Sequence, residues 1–172
     1  LTTPDPVELH QMLAELAAHD VDHLAMEASS HGLDQFRLDG VQLSAAAFTN
    51  LSRDHLDYHG TMAAYLQSKL RLFEALLPAG GGAVINADMD VADSVVAVAR
   101  ARHQQLITFG RNGREIRLVR QTATASGQLL DLEVMGRRYE LVFPVVGLFQ
   151  AQNMLAALGL AIGSGADPET AT

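Results

Sequence analysis

The sequence contains no cysteine, which excludes both a disulfide framework and a thiolate metal site. The absence fits a protein of the cytosol, so we expect a cytoplasmic location. No run approaches the roughly 18 consecutive apolar residues of a membrane span, and no charged segment leading into an apolar one indicates a signal peptide. We therefore expect no membrane partner.

Basic residues are also scarce, with 12 Lys and Arg against 20 Asp and Glu and a formal net charge of -8. This balance argues against a nucleic-acid partner. It leaves a nucleotide ligand open, because one lysine or a bound metal can hold a phosphate locally. The 172 residues, 48% of them apolar, are enough for one domain with a sizeable core.

Both ends of the sequence suggest a part of a longer protein. No initiator Met is present, and Asp167-Pro168-Glu169 has the N-cap residue, the first-turn proline and the acidic residue that begin a helix. Only three residues follow that start signal. We therefore expect a single domain over residues 1–172 that belongs to a longer chain.

Helix and strand patterns alternate along the first part of the sequence. Apolar residues at helical spacing predict helices at 6–19, 61–77 and 89–102. Short apolar runs predict strands at 24–26, 45–49, 82–87 and 106–109. Such alternation is typical of a mostly parallel sheet with crossover helices, which places residues 1–112 in the α/β class.

The pattern then changes to successive strands joined by short turns that contain Gly127 and Gly136, which predicts an antiparallel meander within residues 113–145. The predicted strands are 116–121, 129–135 and 139–143. A helix rich in Ala and Leu follows at about 149–162, within a closing segment 146–172 that includes the truncated end.

Lys69 lies inside the apolar stripe of the predicted helix 61–77, four residues after Tyr65 and four before Phe73. Lysine is rarely buried without a partner. One interpretation is a side chain at the stripe edge that extends its ammonium to water. The other is a lysine directed into a functional site.

A polar loop, 49–60, follows the predicted strand 45–49 and should lie at its carboxyl end, where open α/β sheets bind ligands. It is either a solvated loop with side-chain turns or part of a site. His55 and His59 have the spacing of a helical zinc pair, but no His-Glu-x-x-His motif is present. The neighbouring Asp, Asn and Ser residues favour Mg²⁺ over Zn²⁺.

Two further segments have both a structural and a functional interpretation. Glu27 ends the predicted strand 24–26 and leads into Ser29-Ser30-His31-Gly32, which is either a capped turn or the place of a Mg²⁺ ligand. The amides of the 150–153 segment either cap the last helix or bind a ligand.

Together these segments resemble the Mur ligase family, and within it the MurE type, from Thr2 to Glu169. The motifs that carry the resemblance are Thr2-Thr3-Pro4; Glu27-x-Ser29-Ser30-His31-Gly32-Leu33; Phe48-Thr49-Asn50-Leu51-x-x-Asp54-His55-Leu56-Asp57-x-His59-Gly60; Lys69 with Leu72-Phe73; and Gly147-x-Phe149 leading to Asn153. Five motifs in this order and spacing are specific, and they outweigh the structural interpretation of each alone.

The resemblance implies an enzyme that uses ATP and Mg²⁺ to phosphorylate a carboxylate, after which an amine attacks the acyl phosphate to form an amide. In the MurE type the carboxylate belongs to UDP-N-acetylmuramoyl-L-alanyl-D-glutamate and the amine to a diamino acid, meso-diaminopimelate or L-lysine. Such a reaction gathers negative oxygens, so positioning and charge neutralisation by two metal ions suit it.

The resemblance also implies roles for individual residues. Glu27 is expected to ligate the Mg²⁺ that bridges the ATP phosphates, and His55 to serve a second Mg²⁺. Lys69 is expected to be carbamylated by CO₂ into a metal-binding carboxylate, which would make it catalytic together with His55. Asn153 is expected to contact adenine. The residues expected to bind the nucleotide-sugar dipeptide are Thr2, Thr3, Ser29, Gln35 and Arg37.

The sequence departs from the family pattern at Gln150, where the family usually has Asn. The Gly-rich phosphate loop and the flanking domains of the family are not within these 172 residues, so we expect the isolated chain to lack ligase activity. One alternative is another Mur-type or peptidoglycan-recycling ligase. A second is a metallohydrolase that uses Asp54, His55, Asp57 and His59, and a third is a non-catalytic nucleotide-binding or interaction module.

Overall fold

The computed structural model describes residues 3–171, which form one six-stranded sheet in the order β1-β2-β3-β4-β5-β6. The strands are β1 (Ala45–Phe48), β2 (Gly82–Asn86), β3 (Gln105–Gly110), β4 (Ile116–Thr124), β5 (Gly127–Val134) and β6 (Arg137–Phe143). β1 to β4 run parallel to one another, and β5 and β6 continue the sheet as antiparallel neighbours of β4. The predicted class, a mostly parallel α/β sheet with an antiparallel meander, is confirmed.

The helices are α1 (Pro6–Ala18), α2 (Ser30–Asp34), α3 (Leu56–His59), α4 (Met62–Arg71), α5 (Ala92–Ala101), α6 (Phe149–Gly163) and α7 (Pro168–Ala171). Four helices match the predicted ones in place, the short helix α7 begins at the predicted start signal 167–169, and two further short helices, α2 and α3, were not predicted. A π-helical turn, Leu72–Leu76, continues α4. None of the helices within residues 3–171 combines the length and the apolar character that a membrane crossing needs.

Capping side chains set the starts of the two longest N-terminal helices. The Asp5 carboxylate accepts hydrogen bonds from the backbone N–H groups of Val7 and Glu8, and Pro6 takes the first helical position. The Thr61 hydroxyl accepts from the N–H of Ala64 at the start of α4. Each cap satisfies donors that the helix itself leaves unpaired, so these boundaries follow from local sequence.

The π-helical turn after α4 is held by a buried amide from the next layer. The Nε2 group of Gln104 donates to the carbonyl oxygens of Phe73 and Leu77 at 2.7 and 2.8 Å. Leu77 N–H donates to Leu72 O, five residues back, at 2.9 Å. Wider turns of this kind occur mostly as single turns within helices and are frequent near functional sites.

Helices cover both faces of the parallel strands, and all five residues of β2 are buried. One face packs against α4, the π-helical turn and α5, and the other against α6. Glycines bring α6 close to the sheet, because a Cβ on Gly82 would lie 2.6 Å from the Cα of Gly163. Because helices cover both faces of the parallel strands, the carboxyl ends of these strands form the accessible edge of the sheet.

The predicted strand at 24–26 is wrong. Residues 21–29 form no strand, and Leu24 is 48% exposed. The backbone of this segment pairs with a side chain instead: the Thr3 hydroxyl donates to Glu27 O, and Ser29 N–H donates to the same oxygen of Thr3. Three apolar residues resemble a strand in sequence, but a strand requires a partner ladder, which the described residues do not provide here.

Candidate functional site

A cluster of polar side chains lies at the carboxyl end of β1, where segment 27–37, loop 49–60 and helix α4 meet. The rim cluster, as we call it, consists of Glu27, Ser29, Ser30, His31, Asp34, Gln35, Arg37, Asn50, His55, Tyr58, His59, Ser68 and Lys69. Asn86 at the end of β2 donates to Thr49 O at 2.9 Å and so ties the start of the loop to the sheet. The strand ends therefore fix the base of the cluster.

Lys69 occupies a half-buried position between two aromatic rings. Its Nζ lies 5.1 Å from the ring centroid of Phe48 and 5.2 Å from that of Tyr65, and it donates to Asn50 O at 2.7 Å. Burial lowers the pKa of Lys69, and the carboxylate of Glu27 opposes that shift. The amine thus carries its proton less firmly than a lysine in water.

Glu27 and Ser29 sit beside the buried Thr3. Thr3 is 0% exposed, and its hydroxyl contacts Glu27 O at 3.1 Å and Ser29 Oγ at 3.0 Å. Ser29 Oγ also accepts from Gly32 N–H and caps α2. The Glu27 side chain is exposed, and among residues 3–171 its carboxylate has no hydrogen-bond partner. A carboxylate without a protein partner offers the oxygen ligands that hard cations prefer.

Gln35 and Arg37 form a connected pair at the end of α2. Arg37 donates through one guanidinium nitrogen to Thr3 O at 2.8 Å and through the other to Gln35 Oε1. Gln35 Nε2 donates to the hydroxyl of Tyr58 at 3.0 Å, and that hydroxyl donates to Asp34 at 2.9 Å. The half-buried guanidinium can still offer further N–H groups to an anionic ligand.

His55 precedes helix α3 in the left-handed backbone region, with φ of 55°. Histidine is among the non-glycine residues that adopt this conformation more often than most. Its backbone N–H donates to Asp54 at 2.8 Å, and its ring lies 5.1 Å from the ring of His31. The His55 side chain, 46% exposed, is available to a ligand.

His59 is occupied by the protein on both ring nitrogens. Nε2 lies 3.0 Å from Ser30 Oγ, Nδ1 lies 3.4 Å from Ser68 Oγ, and the ring stacks on Tyr65 at 5.1 Å. Burial and the neighbouring His31 lower the pKa of His59, although Asp34 acts in the opposite direction. A neutral ring held at both nitrogens joins α2, α3 and α4.

The first turn of α6 lies near the ends of β2 and β3. Gln152 donates to the carboxylate of Asp88 at 3.1 Å, and Asp88 also accepts from the backbone N–H groups of Arg111 and Asn112. Asn153 is exposed and donates to Gln150 Oε1 at 3.0 Å. The amides at positions 150 and 153 therefore interact with each other at the accessible edge.

The structure brings most of the residues predicted from sequence into the rim cluster: Glu27, Ser29, Gln35, Arg37, His55 and Lys69. Thr3 is adjacent to it but buried, Thr2 lies outside the described residues, and Asn153 sits at the start of a different element. Within residues 3–171, no three His, Asp or Glu side chains converge in a way that could hold a metal ion.

Sequence reasoning missed Asp34, Tyr58 and Ser68 as members of the cluster. Their contacts join segments far apart in the chain, such as Tyr58 with Asp34 and Ser68 with Asp34. A tyrosine and a serine at these positions have no distinctive local signal. The only available sign was their position within or next to segments already identified.

Comparison with known proteins places this geometry in a family. The model of the Mur ligase middle domain matches residues 1–161. UDP-N-acetylmuramoyl-L-alanyl-D-glutamate–2,6-diaminopimelate ligases are similar in sequence: that of Bradyrhizobium diazoefficiens is 52% identical over 171 residues, and that of Rhizobium meliloti is 54% identical over 165. These alignments cover 97% and 96% of this chain, but only 35% and 34% of the relatives.

A solved structure of a UDP-N-acetylmuramoyl-L-alanyl-D-glutamate–2,6-diaminopimelate ligase superimposes with a TM-score of 0.89 and 33% sequence identity. The superposition covers 99% of this chain and 35% of that structure. The chain therefore spans about a third of the length of the relatives it matches. Sequence and fold agree, and the chain belongs to the Mur ligase family, whose middle domain it represents.

Proposed function

We propose that this domain handles ATP within an enzyme that joins a diamino acid to UDP-N-acetylmuramoyl-L-alanyl-D-glutamate during peptidoglycan synthesis. The observation that carries the proposal is Lys69, a half-buried amine that donates to Asn50 O at the carboxyl end of β1 and whose pKa is lowered by burial. The similar relatives act on 2,6-diaminopimelate by name, which favours that amine over lysine. We infer a cytoplasmic enzyme whose activity needs more than residues 1–172.

Lys69 is suited to carbamylation. Desolvation lowers the pKa of its amine, so a larger fraction is neutral near pH 7 than for a lysine in water. A neutral amine attacks CO₂ to form an N–C bond and releases one proton, which leaves a carboxylate at the end of the side chain. That change also removes the positive charge from a half-buried position next to the rings of Phe48 and Tyr65 and the carbonyl of Asn50.

Two of the three proposed ligands, Glu27 and a carbamate on Lys69, would supply the oxygen donors that Mg²⁺ prefers. Glu27, His55 and a carbamate on Lys69 would hold the metal ions, with oxygen donors from the first and last and an imidazole from His55. Bound Mg²⁺ would neutralise the phosphate oxygens of ATP. Asn153, paired with Gln150 at the accessible edge, is our candidate for contact with adenine.

We assign the nucleotide-sugar dipeptide to Thr2, Thr3, Ser29, Gln35 and Arg37, of which Thr2 lies outside the described residues. The Arg37 guanidinium can receive a carboxylate or phosphate with its remaining N–H groups. Because the Thr3 side chain is buried and its hydroxyl is engaged with Glu27 and Ser29, we propose that Thr3 supports those residues from below.

A metallohydrolase built on the 54–59 loop has less support. Both ring nitrogens of His59 lie against serine hydroxyls, so a metal would have to break these contacts. Within the described part of the chain, the acidic and histidine side chains of this loop do not converge on a point. Family membership favours the ligase, and stoichiometric tightly bound Zn²⁺ would be the observation in favour of the hydrolase.

Isotope transfer tests the proposed acyl phosphate. The full-length protein that carries this domain receives Mg-ATP, diaminopimelate and the nucleotide-sugar dipeptide labelled with ¹⁸O in the reacting carboxylate. We expect one ¹⁸O atom in the released phosphate for each amide formed, because the carboxylate oxygen that attacks ATP leaves with the phosphoryl group. A reaction without the amine gives the background. Amide formation accompanied by release of phosphate without ¹⁸O would contradict an acyl-phosphate intermediate.

A further inference from the structure

We propose that Tyr58 is a positioning residue that fixes Gln35 beside Arg37, so that this pair presents hydrogen-bond donors to an anionic group of the substrate. The family motif leaves position 58 open, and no role was assigned to Tyr58 above. The inference rests on the proposed function in one respect: it takes Gln35 and Arg37 as the residues that bind the nucleotide-sugar dipeptide.

Tyr58 bridges two segments that are distant in sequence. Its side chain comes from α3, and its hydroxyl meets Gln35 and Asp34, 23 and 24 residues earlier in the chain. The Tyr58 ring packs on the ring of His31 with centroids 4.1 Å apart, which holds it against α2. Asp34 in turn accepts from Ser68 Oγ of α4 at 3.2 Å. Three helices thus support one hydroxyl group.

The direction of this hydrogen-bond chain is set by its two ends. A guanidinium can only donate, so the atom of Gln35 that faces Arg37 is the acceptor Oε1. The Nε2 group of Gln35 must then face Tyr58 and donate to its hydroxyl. The hydroxyl proton goes to Asp34, because an ionised carboxylate can only accept. The amide orientation of Gln35 therefore has one solution.

This arrangement leaves donors and few acceptors for a ligand. Arg37 uses the Gln35 oxygen, and Tyr58 accepts one of the two Nε2 protons. The remaining Nε2 proton and the unused guanidinium N–H groups are free to meet carboxylate or phosphate oxygens. Without the Tyr58 hydroxyl, the exposed Gln35 side chain gains rotational freedom, and part of the ligand's binding energy is lost in ordering it again.

The test is Tyr58→Phe in the full-length protein, assayed by amide formation. One net hydrogen bond corresponds to about a five-fold change in binding, so we expect the KM for the nucleotide-sugar dipeptide to rise about five-fold. The kcat value and the KM for ATP should stay within about two-fold, because Tyr58 supports only the dipeptide side. Asp34→Asn, which keeps an acceptor for the Tyr58 hydroxyl, should raise the dipeptide KM less.

Tyr139→Phe is the matched control. It also removes a tyrosine hydroxyl, but the Tyr139 hydroxyl on β6 forms no hydrogen bond within residues 3–171. Two results would overturn the inference. One is an unchanged dipeptide KM in Tyr58→Phe, and the other is a fall in kcat together with an equal rise in the KM values of both the dipeptide and ATP. If the wild type forms no amide, the proposed function fails, and calorimetry with the dipeptide still decides the inference. A Kd about five-fold weaker in Tyr58→Phe supports it; an equal Kd, or no binding to the wild type, overturns it.

Discussion

Replacing Lys69 by methionine is expected to lower the rate of amide formation by at least about 100-fold while changing the free energy of unfolding by no more than about 1 kcal/mol. The loss of rate follows from the proposed carbamate, since methionine offers no amine to CO₂ and no oxygen to a metal ion. The retained stability follows from the surroundings of the side chain, which are aromatic on two sides.

The pKa of Lys69 gives the sign of the stability effect. Burial lowers that pKa below its ordinary value of 10.5, so the folded state binds the proton more weakly than the unfolded state. The cost of the charged amine is present below the folded pKa and disappears as pH rises through it toward 10.5. Methionine removes this cost at neutral pH, which offsets the lost hydrogen bond to Asn50.

The amide assay and urea unfolding, both on wild type and Lys69→Met, measure the two effects. Lys69→Arg is the matched variant, because it keeps a cation but cannot form the same carbamate, and we expect it to be equally inactive. Lys69 is the only lysine in the 172 residues, so a carbamate trapped by alkylation on a lysine side chain of these residues reports a single site. Activity above about a hundredth of wild type in Lys69→Met would contradict the assignment.

Replacing Phe73 by alanine is expected to destabilise the domain by about 4 kcal/mol, which is most of the roughly 5 kcal/mol that keeps a marginally stable domain folded. Phe73 is fully buried in the π-helical turn, and its ring lies 6.2 Å from that of Phe48. Phe48 also contacts Lys69, so the core beneath the candidate site depends on this ring pair. Removing the larger part of the side chain leaves a cavity between α4 and the sheet.

Urea unfolding of the 172-residue chain measures that loss, with Phe149→Ala as the matched control. Phe149 is 67% exposed at the start of α6, so its truncation should cost no more than about 0.5 kcal/mol. Equal midpoints for the two variants would show that the buried ring pair does not stabilise this face of the sheet.

The succession of helices and strands along the chain was largely predictable from sequence, because local patterns determine it. The apolar run of β2 is buried on both faces, that of β3 is buried or half-buried, and the turn between β5 and β6 contains Gly136. Met135 and Gly136 both have positive φ, as a two-residue hairpin turn requires. The π-helical turn depends on Gln104, about 30 residues later in the chain, and no local pattern indicates it.

The residues of the candidate site that belong to motifs were predictable from sequence. The contacts that arise from tertiary packing were not. Glu27, His55 and Lys69 are in recognisable motifs, and their roles remain predictions until the experiments above are done. The bond between Tyr58 and Gln35 depends on the left-handed turn at His55 and the short helix α3, which sequence reasoning treated as a loop. Contacts of this kind follow from tertiary structure and leave no periodic signal.

The most direct measurement is amide formation by the full-length protein that carries this domain, with Mg-ATP and UDP-N-acetylmuramoyl-L-alanyl-D-glutamate, and with diaminopimelate or lysine in separate reactions. Mass spectrometry of the product identifies the amine that was joined. The account predicts product with diaminopimelate, none without ATP, and none from Lys69→Met. A folded full-length protein that forms no product with either amine would contradict it.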